Sequence, residues 1–250
     1  MLDGFFNWTW TYKLESDFRW GHITIYDLGG NIVGPAKNMK WPEKLEDISD
    51  DLKVKLQSKS KAAAWFVNVC DGESSREEFV TQTQNELMRY GWKVDIYSNC
   101  GPPKCNLSDV TKCFEIIERD YYFYFAFENA FSEDYVTGIV LIALNNYAVP
   151  VVYGISDYSR FLPPNSYLDG YVLGSESLAS QMNEIMINKT KYYNFFRWRN
   201  HYVYKETTYN DDICKICEIM NNKDIMSQKT TWTDLISWWN GRYNEDICIS

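Results

Sequence analysis

Short apolar runs alternate with amphipathic segments through the middle of the chain. The apolar runs predict four buried strands, over 62–69, 93–97, 121–127 and 148–153. Apolar residues near helical spacing predict four helices, over 76–90, 107–118, 136–146 and 175–187. Strands and helices that alternate in this way predict a parallel sheet with helices on both faces.

Three loops follow from this pattern as places for a ligand. Parallel sheets of this kind bind ligands beyond the carboxyl ends of their strands, in the loops that lead into the helices. The candidate site loops are therefore 68–76, 128–137 and 154–161. The ends of the chain are less regular, with one amphipathic helix predicted over 47–56 and another over 210–220.

Composition narrows the class of protein. The chain has 250 residues, enough for one large α/β domain or for one domain with part of another. Its net charge of −9 repels phosphate backbones, so no nucleic-acid partner is expected. The aromatic share of 17% fits a protein that binds sugar rings or nucleobases, but aromatic residues also fill cores, and both interpretations stay open.

The cysteines favour a disulfide framework over a metal site. There are seven, an odd number, and only Cys214 and Cys217 are closely spaced. One such pair is weak support for zinc, so no metal is predicted. Disulfides and the sequons at Asn7, Asn106 and Asn188 predict a glycoprotein of the secretory pathway. The sequence has no signal peptide and no membrane span, and we expect an N-terminal part with a membrane anchor to be missing.

Several blocks along the chain match one known pattern in the same order. Tyr122–Asn129 is similar to a block F-Y-x-A-F-E-N, and Asp134–Thr137 is similar to the step D-Y-V-T that follows it. The other matching blocks are Phe6–Tyr12, Ser16–Asp17, Ala148–Gly154, Asp157–Tyr167, Phe195–Trp198 and Cys214–Cys217. Together they cover most of the chain, which resembles the α-1,3-fucosyltransferases of glycosyltransferase family 10, with the invertebrate and plant members closest.

The resemblance implies an α/β fold of the GT-B type, with a Rossmann-like C-terminal donor-binding domain and only a remnant of the N-terminal lobe. Residues 1–58 would be the remnant of the acceptor lobe with a linker, 59–200 the GDP-fucose-binding domain and 201–250 a C-terminal extension. The implied reaction is an inverting, metal-independent transfer of fucose from GDP-fucose, without a cofactor, to a GlcNAc-containing glycan in α-1,3 linkage. N-glycan-core and N-acetyllactosamine acceptors both stay open. The implied location is the Golgi lumen, with the full-length form a single-pass type II protein of the Golgi cisterna membrane.

The resemblance also assigns roles to single residues. Arg76 matches a diphosphate-binding arginine, and a guanidinium at a helix start suits phosphate because it offers paired donors beside aligned N–H groups. The other predicted donor-site residues are Asn68, Glu128, Asn129, Tyr135 and Thr137. Glu128 organises the loop or, as the alternative, its carboxylate serves the sugar, and Thr137 caps the helix that follows. Tyr124 and Phe127 are expected in the core, whereas Asp157 and Arg160 form a loop ion pair or line the site.

The chain departs from the family pattern at two places. Gly138 and Ile139 stand where the family has a Glu for the ribose hydroxyls and a Lys for the diphosphate. A hydrogen bond to a charged group contributes roughly 1.5–3 kcal/mol, so losing two weakens donor binding by on the order of a hundredfold. The catalytic base of the family lies in a segment expected upstream of residue 1, so no catalytic residue is predicted here.

Three hypotheses follow from these matches and departures. The first is the donor-binding domain of a family 10 fucosyltransferase, which Arg76, Asn129 and Tyr135 favour. The second is a catalytically decayed relative that binds a nucleotide or a glycan, which Gly138 and Ile139 favour. The third is a secreted interaction domain that keeps only the fold.

Overall fold

A parallel five-stranded sheet occupies the centre of the chain, in a computed structural model that describes residues 3–67, 74–98, 110–228 and 231–240. The strands are β1 (Trp10–Thr11), β2 (Phe18–Arg19), β3 (Ile23–Asp27), β4 (Ile32–Gly34), β5 (Lys61–Val67), β6 (Val94–Ser98), β7 (Tyr121–Phe127), β8 (Val149–Tyr153), β9 (Leu168–Asp169) and β10 (Tyr202–Glu206). The helices are α1 (Asp50–Leu56), α2 (Arg76–Met88), α3 (Val110–Asp120), α4 (Ile139–Asn145), α5 (Gly170–Ile187), α6 (Lys189–Asn194), α7 (Tyr209–Met220), α8 (Lys223–Met226) and α9 (Leu235–Asn240). The large sheet has the order β6-β5-β7-β8-β9, and all its pairs are parallel.

Strand β7 forms the middle of this sheet because its side chains are apolar or aromatic on both faces. All seven of its residues are buried. Successive side chains of a strand point to opposite faces, so Phe123 and Phe125 enter one core while Tyr124 and Ala126 enter the other. The expectation that Tyr124 and Phe127 lie in the core is confirmed.

Helices cover both faces of the sheet, as the alternating pattern predicts. Helices α2 and α5 pack on one face, through buried residues such as Leu87 and Met182. Helices α3 and α4 pack on the other, through Ile117 and Leu144 among others. The predicted α/β class with a parallel sheet is therefore confirmed. Among the described residues, no helix combines the length and the apolar character that crossing a membrane requires.

A second, antiparallel sheet joins the two ends of the chain. Its order is β10-β3-β4, so residues 202–206 pair with residues 23–27 across most of the sequence. Ile23, Ile25 and Tyr204 point from it into the core that contains α4. No local pattern predicts this pairing. The division of the chain at residues 58 and 200 stays a prediction.

Most predicted elements are present with shifted ends, and the shift of α4 bears on the site. Helix α4 begins at Ile139 and not at 136, because residues 128–138 form a hydrogen-bonded loop. Helix α5 begins at Gly170, and it is broken at Gly174, whose φ of +71° is not helical. Gly91 follows α2 with a φ of +81°, which agrees with its predicted role as a helix end.

Candidate functional site

The carboxyl ends of β5 and β7 meet at one edge of the parallel sheet and enclose a cleft. The cavity measures about 210 Å³. It is lined by Phe66, Val67, Arg76, Phe127, Glu128, Asn129, Tyr135, Thr137 and Ile139. Five of the six predicted donor-site residues therefore surround one space. The sixth, Asn68, lies outside the described residues.

Arg76 forms one side of the cleft, which we call the arginine side together with Phe66 and Val67. It is the first residue of α2, as predicted, and follows Ser75, which has a φ of +50°. Its side chain is buried. Nη1 donates a hydrogen bond of 3.0 Å to the backbone oxygen of Phe127, and Nε lies 3.3 Å from Oε1 of Glu77. The guanidinium also lies 5.9 Å from the ring centroid of Trp65. The fold thus fixes a cation at the end of two strands.

Glu128 ties the loop after β7 together. Its carboxylate accepts hydrogen bonds from the backbone N–H of Thr137 at 2.8 Å and from the Thr137 hydroxyl at 3.0 Å. Its backbone oxygen accepts a hydrogen bond of 2.8 Å from the hydroxyl of Ser74. Burial raises the pKa of Glu128 to about 7, although these hydrogen bonds and the charge of Arg76 act in the opposite direction. The geometry agrees with the prediction that Glu128 organises the loop.

Asn129 and Tyr135 contact each other across the same loop. The hydroxyl of Tyr135 donates a hydrogen bond of 3.2 Å to Oδ1 of Asn129. The Tyr135 ring packs edge-on against Tyr12, with ring centroids 5.2 Å apart. The hydroxyl of Tyr12 is in turn 2.8 Å from the hydroxyl of Ser132. The N-terminal aromatic segment therefore supports the loop that lines the cleft.

The turn at Asp134 is held by a buried ion pair. Asp134 has a φ of +59°, and its carboxylate accepts hydrogen bonds of 2.9 Å from the backbone N–H of Leu14 and from Nη1 of Arg160. Arg160 also lies 3.5 Å from the carboxylates of Glu133 and Asp157. Of the two alternatives for Asp157 and Arg160, the structure supports the loop ion pair.

The other side of the cleft, Thr137 to Ile139, we call the glycine side. Thr137 caps α4 as expected: its hydroxyl oxygen accepts a long hydrogen bond of 3.4 Å from the N–H of Ile139, the first residue of the helix. Gly138, between them, has a helical φ of −60° and provides no side chain for capping. The N–H and hydroxyl of Thr137 also donate to the Glu128 carboxylate. Ile139 lines the cleft with an apolar side chain, so this side carries no charge at 138 or 139.

Two residues near the cleft, Ser74 and Glu206, are not predicted from the sequence. Ser74 is buried and fixes Glu128, and its place in the candidate site loop 68–76, two residues before Arg76, could have indicated it. Glu206 lies beside Gly138 because β10 pairs with β3, and no local signal links these positions.

The two closely spaced cysteines, Cys214 and Cys217, are exposed and free. The disulfide framework stays a prediction.

Comparisons with known proteins agree with the resemblance. Residues 56–238 match the model of the glycosyltransferase family 10 (fucosyltransferase) C-terminal region. Alpha-(1,3)-fucosyltransferase C of Drosophila melanogaster is 36% identical over 239 residues, covering 94% of this chain and 54% of the relative. Glycoprotein 3-alpha-L-fucosyltransferase A of the same organism is 31% identical over 240 residues, covering 94% of this chain and 43% of the relative. The chain thus spans about half the length of the curated relatives that it matches.

A solved structure supports the fold. A crystal structure of an α1,3-fucosyltransferase with GDP-fucose matches with a TM-score of 0.50 and 14% identity, covering 76% of this chain and 60% of that one. At this identity the likeness concerns the fold alone, and it agrees with the predicted GT-B type. Because the family model and the Drosophila relatives match across most of the sequence, the chain belongs to glycosyltransferase family 10, the fucosyltransferase family.

Proposed function

We propose that this chain is the donor-binding part of an α-1,3-fucosyltransferase that transfers fucose from GDP-fucose to a GlcNAc-containing glycan. The observation that carries the proposal is the buried Arg76 in the cleft at the carboxyl edge of the parallel sheet. A guanidinium offers five N–H donors in a fixed fork, which suits the oxygens of a diphosphate. The names of the relatives and the solved structure with GDP-fucose support the same donor.

The other cleft residues receive supporting roles in this proposal. Asn129 and Tyr135 contact the donor, and Glu128 and Thr137 hold the loop in position. Asn68 contacts the nucleotide. No catalytic base is assigned in this chain, and the inverting, metal-independent course of the transfer is part of the proposal. So are the division into 1–58, 59–200 and 201–250, the disulfides, and a location in the Golgi lumen.

A second candidate function is a catalytically decayed relative that binds a nucleotide or glycan without transfer. The glycine side favours it, because Gly138 and Ile139 bring no charged group to the cleft. Both candidates share the fold and the arginine side. They differ in whether fucose reaches an acceptor.

Calorimetric titration with GDP-fucose tests the proposal. We expect the unmodified protein to bind GDP-fucose with micromolar affinity, and the double variant Gly138→Glu/Ile139→Lys serves as a reference for a charged glycine side. Absence of binding by both proteins, with native circular dichroism, would contradict a donor site. UDP is the matched control ligand, because it carries the same diphosphate with a different base.

A transfer assay then separates the two candidates. The full-length protein is incubated with GDP-fucose and either an N-glycan-core glycopeptide or an N-acetyllactosamine acceptor. Fucosylation of one acceptor supports the enzyme and identifies its acceptor class. Micromolar binding of GDP-fucose without fucosylation of either acceptor favours the decayed relative.

A further inference from the structure

The carboxylate of Glu206 lies beside the glycine side of the cleft. Glu206 is the last residue of β10 and pairs with Ile23 in the antiparallel sheet. A Cβ atom placed on Gly138 would lie 3.6 Å from Oε1 of Glu206 and 4.0 Å from its Cδ. The absent side chain of Gly138 therefore leaves the space next to this carboxylate open.

Glu206 does not itself line the cavity, but two of its neighbours are adjacent to residues that do. Gly138 stands between Thr137 and Ile139, and both of these residues line the cavity. His22 lies near Tyr135 of the cleft, with ring centroids 6.5 Å apart, and the charge of Glu206 acts on His22. Residues from three separate parts of the sequence thus bring the Glu206 carboxylate to the glycine side.

The structure gives this carboxylate little to do within the fold. Glu206 is exposed, and across the part of the chain that the structure describes its side chain makes no hydrogen bond or ion pair. A carboxylate that only shapes the loop would contact the loop, as Glu128 does with Thr137. Both oxygens of Glu206 can therefore accept hydrogen bonds from a ligand.

The chemistry of the ligand follows from its charge. A carboxylate repels a diphosphate, so it does not serve the part of a nucleotide that Arg76 attracts. It suits the vicinal hydroxyls of a ribose, because two O–H donors meet two acceptor oxygens, and acidic side chains commonly bind ribose hydroxyls in dinucleotide-binding folds. We propose that Glu206 binds the ribose hydroxyls of the nucleoside diphosphate donor, an inference that rests on the proposed function. In this way β10 supplies the carboxylate that position 138 lacks.

The proposal has a consequence for the glycine side. A glutamate at 138 beside Glu206 would bring two like charges into contact and weaken both as acceptors. The carboxylate for the ribose can thus come from either of two positions. One arrangement has glycine at 138 and glutamate at 206, and the other has glutamate at 138 and a neutral residue at 206.

Calorimetric titration with GDP and with 2′,3′-dideoxy-GDP tests the proposal. We expect Glu206→Gln to weaken GDP binding by about tenfold to a hundredfold, since hydrogen bonds to a charged group are lost. Binding of 2′,3′-dideoxy-GDP should not change, because this ligand has no ribose hydroxyls. Glu176→Gln, which neutralises an exposed carboxylate of α5, is the matched control and should bind both ligands like the unmodified protein.

A rescue variant completes the test. We expect Gly138→Glu added to Glu206→Gln to regain most of the lost GDP affinity. Equal affinity of Glu206→Gln and the unmodified protein for GDP, or an equal loss for GDP and for 2′,3′-dideoxy-GDP, would overturn the role of Glu206 and leave the donor site intact. If the unmodified protein binds no GDP, the proposed function itself fails, and the role of Glu206 fails with it.

Discussion

The two sides of the cleft differ in how firmly the fold fixes their residues. On the arginine side, Arg76 is buried and binds the backbone of β7, so its replacement leaves a buried oxygen without this donor. On the glycine side, Gly138 has a φ of −60°, which any residue can adopt, and the nearest atom to an added Cβ is at 3.6 Å. A side chain with a structural contact resists change, whereas one that serves only a ligand can be replaced or supplied from another strand.

Breaking the ion pair between Asp134 and Arg160, in the loop that leads to the glycine side, should have the largest effect on stability. The Asp134 side chain is only 1% exposed, and Arg160 is its cationic partner at 2.9 Å. We expect Arg160→Met to lower the free energy of unfolding by about 2–4 kcal/mol, because it leaves a buried charge behind. Urea unfolding measures the loss.

The matched control removes the charge as well as its partner. In Asp134→Asn/Arg160→Met no buried charge remains, so the loss should be smaller than in Arg160→Met alone. If the single variant is as stable as the unmodified protein, the ion pair does not hold the turn at Asp134, and the glycine side is set by Glu128 alone.

Replacing Arg76, the cation of the arginine side, should lower both the affinity for the ligand and the stability of the fold. We expect Arg76→Met to weaken GDP-fucose binding by about tenfold to a hundredfold, and to lower the free energy of unfolding by about 1–3 kcal/mol because the Phe127 oxygen loses its donor. Calorimetry and urea unfolding measure the two effects. Arg76→Lys keeps the charge but loses the forked donor geometry of the guanidinium. Its affinity for GDP-fucose should therefore lie between those of the unmodified protein and Arg76→Met.

Arg197→Met is the matched control for the arginine side. Arg197 is also an arginine in an ion pair, with Asp47, but it lies outside the cleft and its partner is exposed. Its replacement should leave GDP-fucose binding unchanged. An equal loss of binding in both variants would mean that Arg76 acts through the net charge of the protein and not through contact with the donor.

The sequence predicts the arginine side better than the glycine side, and the reason is physical. Strand β7 and helix α2 are continuous in sequence and carry strong apolar patterns, so Tyr121–Phe127 and the start at Arg76 agree with the structure. Residues 134–138 depend on contacts with Leu14 and Arg160, which no local pattern contains. The predicted helix start at 136 is wrong for this reason.

Glu206 could not be predicted from the sequence for a related reason. Its place beside Gly138 depends on the pairing of β10 with β3, which joins residues about 180 positions apart. Such pairing is fixed by packing of the whole fold and not by propensity. The resemblance indicates that a carboxylate is absent at 138, but only the structure identifies a neighbour that carries one.

The buried carboxyl group between the two sides should give stability a specific pH dependence. The pKa of Glu128 is raised to about 7 from an ordinary value of 4.5, so the folded protein holds this proton more tightly than the unfolded chain. The contribution of Glu128 to the free energy of unfolding is therefore most favourable below about pH 4.5, falls as the pH rises, and is constant above about pH 7.

Glu128→Gln isolates this dependence because glutamine does not titrate. Relative to the unmodified protein, we expect the variant to gain about 1–3 kcal/mol in free energy of unfolding between pH 5 and pH 8. Urea unfolding of both proteins at several pH values measures the difference, and the other titrating groups cancel in it. A difference that does not change with pH would mean that the hydrogen bonds from Thr137 keep the carboxyl group ionised in the folded state.

The smallest effect should come from the contact that closes the loop, Tyr135 with Asn129. Tyr135→Phe removes one hydroxyl hydrogen bond at a half-buried position and keeps the ring against Tyr12, so we expect a loss of about 0.5–1 kcal/mol in free energy of unfolding. Tyr135→Ala also removes the ring packing and should cost about 1–2 kcal/mol, because the position is only half-buried. If the hydroxyl matters for orienting Asn129 toward the donor, Tyr135→Phe will weaken GDP-fucose binding in calorimetry while stability hardly changes. An equal loss of stability in Tyr135→Phe and Tyr135→Ala would mean that Tyr135 acts only through its hydroxyl, and the loop before the glycine side would then be fixed by polar contacts, as Arg76 is on the arginine side.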